Sequence, residues 1–75
     1  MSVIDNKFRA QWAMETLRRF DEICPSGLED DDFETASVDL MVNIFHLLGQ
    51  SGLDPWETIR RAMEHYLNEL DEEVE

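Results

Sequence analysis

Leu40-Met41-Val42-Asn43-Ile44-Phe45-His46-Leu47-Leu48-Gly49-Gln50-Ser51-Gly52-Leu53-Asp54-Pro55-Trp56-Glu57 is the stretch that decides the fold. Phe33, Leu40, Met41, Ile44, Leu47 and Leu48 recur at helical spacing, and the spacing predicts a helix that ends at Gly49. Asp54 can then accept from the orphan amides of a new helix, Pro55 suits its first position, and Glu57 can reach back to the cap. Beyond this start, Trp56, Ile59, Met63, Tyr66, Leu67 and Leu70 mark one face of a further helix. No segment alternates as a strand should.

Upstream, Leu28-Glu29-Asp30-Asp31-Asp32 reads as an acidic linker, with Asp31 and Glu34 as a plausible cap for the middle helix. Before it, Phe8, Trp12, Ala13, Leu17, Phe20 and Cys24 define a first helix. A capping pair at Ser2 and Asp5 would open it, and Pro25 with Ser26-Gly27 would stop it. The three glycines, Gly27, Gly49 and Gly52, all read as turn residues, not as a phosphate-binding loop. The reading is all-α: one domain over residues 1–75, with helices at about 3–24, 32–48 and 55–70. Trp12, Leu17, Phe20, Leu40, Ile44, Leu48, Ile59, Met63 and Leu67 are the expected core, with Cys24 beside it. The acidic tail 71–75 opposes the dipole of the last helix and is expected to fray.

Seventy-five residues lie near the lower limit for an unstapled core, but 43% hydrophobic content argues against disorder. The lone Cys24 excludes an internal disulfide and fits a reducing cytoplasm. No apolar run has the length of a membrane span, and the first residues lack a signal-peptide core.

Charge is distributed unevenly. Residues 1–27 carry four acids against Lys7, Arg9, Arg18 and Arg19, whereas residues 28–75 carry 14 acids against Arg60 and Arg61. The whole net charge of −12 therefore falls in the second part. Direct binding of nucleic acid is not expected, because phosphate contacts need clustered bases. A basic nucleic-acid-binding protein is the expected partner instead. Glu29, Asp30, Asp31, Asp32 and Glu34 on one edge, with Glu57, Glu64, Glu69 and Glu72 on another, could imitate a phosphate backbone. The alternative is a solvated face that only aids solubility.

Val38, Val42 and Phe45 widen the apolar surface of the middle helix beyond one stripe. Such a helix lies either at the centre of a three-helix bundle or at a homodimer contact, and a homodimer through these residues is expected. Three consecutive aspartates, Asp30 to Asp32, do not make a calcium loop, and His46 and His65 have no ligand-like spacing. Glu34 and Asp39 lie five apart and would not converge on one ion. No nucleophile with a base is evident. The expectation is no catalytic residue, no metal and no cofactor.

From Asp39 to about Leu67, the Asp-Leu-Met run and the Gly-Leu-Asp-Pro-Trp-Glu turn resemble the last two helices of MazG-like nucleotide pyrophosphohydrolases. That resemblance implies helical packing and dimerisation. The family holds magnesium with an EExxE and an ExxD motif. Asp39 matches the aspartate of the second motif, but Ala36 stands where its glutamate would be, and the first motif is absent. By size and acidity the chain also resembles phage-type inhibitors, including anti-CRISPR and anti-restriction DNA mimics. Three readings follow: an acidic inhibitor acting by charge mimicry, a degenerate MazG-like relative that binds or cleaves nucleotides, and a helical adaptor that recognises its partner through apolar surface.

Overall fold

The computed structural model describes residues 5–25 and 32–73, with side chains through residue 71. It is all-α, with α1 (Asn6–Ile23), α2 (Phe33–Gln50) and α3 (Pro55–Glu73), and no strand among the described residues. Each helix touches the other two. Among the described residues no helix is long and apolar enough to cross a membrane.

Each helix starts on an aspartate, for the same reason. The first amides of a helix have no partner within it, and a carboxylate just upstream accepts from them. Asp5 caps α1, accepting from the Lys7 and Phe8 amides at 2.9 and 3.3 Å. Helix α1 therefore begins at Asn6 instead of near Val3, and Ser2 lies outside the described residues. Asp32, not Asp31, caps α2: the Thr35 amide donates to it at 3.0 Å and the Thr35 hydroxyl at 2.6 Å. Those two bonds, the hydroxyl's first, hold the Asp32 carboxyl below its ordinary pKa. Asp54 accepts from the Trp56 amide at 3.0 Å, with Pro55 in the first turn as expected. Glu57 does not close a capping box with Asp54; its carboxylate turns to Arg60.

The ends differ more from expectation. Helix α1 stops before Cys24, which is extended ahead of Pro25 and exposed, not core. Helix α2 runs through Gly49, so that glycine is helical and the turn belongs to Gly52. There the Leu53 amide donates to the Leu48 carbonyl at 2.9 Å and the Gly52 amide to Gly49 at 3.1 Å. This crossed pair needs a left-handed residue between helix and exit, and Gly52 supplies it at φ 79°. Helix α3 extends to Glu73, past the expected end at 70.

Packing is thin. Among the described residues only Leu17 and Ala36 are buried, at 7% and 0% exposure. Phe20, Leu40, Leu48 and Ile59 are half-buried. Trp12, Ile44, Met63 and Leu67, expected in the core, are exposed. The cause is geometric. Helix α2 carries apolar residues around about two thirds of its circumference at 3.6 residues per turn. Two neighbours of 18 and 19 residues cannot cover that arc together with their own stripes. The molecule measures 38 × 32 × 17 Å, with a radius of gyration of 14.2 Å, where a compact chain of this length would have about 11 Å.

Candidate interaction surface

The described side chains divide into an acidic shell that is partly neutralised from within and an apolar face left open. On α3, Arg60 lies between two acids at helical spacing. Its guanidinium donates to both Glu57 oxygens, at 2.6 and 3.0 Å, and reaches Glu64 on its other side. Hydrogen bonding from Arg60 is the main cause of a lowered Glu57 pKa, and the same pair raises that of Arg60. Two of the carboxylates expected to face a partner are thus held by one arginine.

Glu69 has a different role. Its backbone carbonyl accepts from Asn6 Nδ2 at 3.0 Å, and its carboxylate lies 3.4 Å from Arg9 Nε. Arg9 also donates to Asn6 Oδ1 at 2.8 Å. This polar latch, about two thirds covered, fastens the start of α1 to the last turns of α3. Asp32 is committed to capping, while Glu34 is exposed in the first turn of α2. Glu29, Asp30 and Asp31 lie outside the described residues, as does the side chain of Glu72. Of the two acidic edges, Asp32 and Glu34 on one and Glu57, Glu64 and Glu69 on the other are the described members.

More large apolar side chains are exposed than the pattern suggested. Exposed large apolar side chains include Trp12, Met41, Val42, Ile44, Leu47, Trp56, Tyr66 and Leu67, with exposures reaching 79% at Trp56. Val38 and Val42, expected at a dimer contact, are exposed, and Phe45 is half-buried. Between α1 and α2 lies an open groove of about 290 Å³, walled by Ala13, Thr16 and Leu17 on one side and Ser37, Leu40, Met41 and Ile44 on the other. The Thr16 hydroxyl donates to the Trp12 carbonyl at 2.9 Å, so it is satisfied within its own helix and leaves the wall apolar. Trp12, one turn earlier on the same face, is half exposed beside it.

Small residues line part of the groove, Ala13 and Thr16 on α1 and Ser37 on α2, with the exposed Met41 and Ile44 beside them. The apolar spacing included Ala13 but not Thr16 or Ser37, whose hydroxyls carry no apolar signal. A run of small residues between the Asp32 cap and Leu40 was the available sign.

Among the described residues, no three His, Cys, Asp or Glu side chains converge where a metal ion could be held. Asp39 is exposed, and Ala36, standing where the resemblance would require a glutamate, is fully buried as a packing contact. A carboxylate there would have to lose its water. Compared with family models, curated proteins and solved structures, the chain matches none.

Proposed function

We propose that the chain is a helical protein-interaction module that works by binding and not by catalysis, through the apolar face of α1 and α2. The observation that carries this reading is the set of large apolar side chains these two helices leave in water: Phe8 and Trp12 of α1 and Val38, Met41, Val42, Ile44 and Leu47 of α2 are all exposed. Monomers rarely leave contiguous apolar patches beyond a few hundred Å², and larger ones mark sites of association.

Charge mimicry is the second reading, favoured by a net charge of −12 that falls wholly after residue 27. An inhibitor of phage type would present those carboxylates to a basic nucleic-acid-binding protein. The two readings separate under substitution. Proteins captured from a lysate of the source cells are compared for the parent chain, for Met41→Ser with Val42→Ser, and for Glu57→Gln with Glu64→Gln and Glu72→Gln. Capture lost only in the apolar variant, and insensitive to salt, supports the adaptor reading. Capture lost only in the acid variant, weakened by salt and displaced by nucleic acid, assigns the protein to charge mimicry.

A further inference from the structure

We draw no further inference here: the strongest candidate, the open apolar groove between α1 and α2 lined by Leu17, Leu40, Met41 and Ile44, carries nothing beyond the proposed reading, because nothing in the structure shows what covers it.

Discussion

Truncating Leu17 to alanine probes the one large side chain buried among the described residues, at 7% exposure. The change removes three carbons, and at about 0.8 kcal/mol for each buried methylene the transfer loss is about 2.4 kcal/mol. A cavity adds about 24 cal/mol per Å³ where the surroundings cannot collapse. Here they can: Leu17 borders the open groove, and Leu40 and Met41 stand on its other wall with free space before them. The isolated chain should therefore lose about 2–3 kcal/mol, the lower part of the usual range for buried leucine. For a domain this small that corresponds to a fall of roughly 10–20 °C in Tm. Urea unfolding, followed by Trp12 and Trp56 fluorescence and by circular dichroism, measures the loss. A loss under about 1 kcal/mol would refute the central place of Leu17.

Ala36→Glu restores the acidic spacing to Asp39 that the nucleotide-hydrolase resemblance lacks, but at a position with 0% exposure. Burying a carboxylate costs several kcal/mol, so thermal melting should show an unfolded or barely folded chain, and a magnesium titration should restore little helix. The two described glycines should respond oppositely to alanine. Gly52→Ala forces a side chain into a left-handed conformation at φ 79° and should cost about 1–2 kcal/mol. Gly49→Ala lies within α2 with no atom near the new Cβ, and should stabilise by about 0.5–1 kcal/mol. Both are read by urea titration. Asp32 has its pKa lowered by the Thr35 hydroxyl and amide. The stability it adds is therefore full above its unfolded pKa and lost as pH falls through the lower folded one. Asp32→Asn keeps an acceptor at the cap without titrating, so its Tm should fall less than the parent's between about pH 5 and pH 2.5. Equal slopes would show that the cap does not contribute to acid unfolding.

The helices were legible in the sequence because their signals are local. Asp54-Pro55 and the apolar spacing of α3 act within one or two turns, and the structure keeps them. The caps were legible as a residue class, with a slip of one position at Asp32, because three consecutive aspartates compete and only the one three residues before Thr35 gains both its amide and its hydroxyl. Burial was much less legible. An apolar stripe states which face seeks cover, whereas the cover depends on the surface that other elements can offer. Leu17 meets that surface; Trp12 and Met63, with equally good spacing, do not. The acids show the same limit in electrostatic form. Glu57, Glu64 and Glu69 read as one class by charge, yet two of them clasp Arg60 and the third pairs with Arg9. The groove is lined in part by Ala13, Thr16 and Ser37, and of these the apolar spacing marks only Ala13.

The charge distribution and the apolar face then constrain each other. A domain at −12 pushes neighbouring copies apart at any random contact, which protects an exposed apolar surface from indiscriminate association. The protection fails only where charge is absent, and the long uncharged run of the chain, Leu40 to Leu53, lies on the helix with the widest apolar arc. A basic partner would gain from the acids outside this run and an apolar partner from the run itself. The two surfaces therefore need not compete: the run belongs to α2 and the turn after it, and the Glu57–Arg60–Glu64 cluster to α3. Salt then separates the contributions in one molecule: docking on the apolar run should be insensitive to ions, while any docking of a basic protein on the acids should weaken as they are screened.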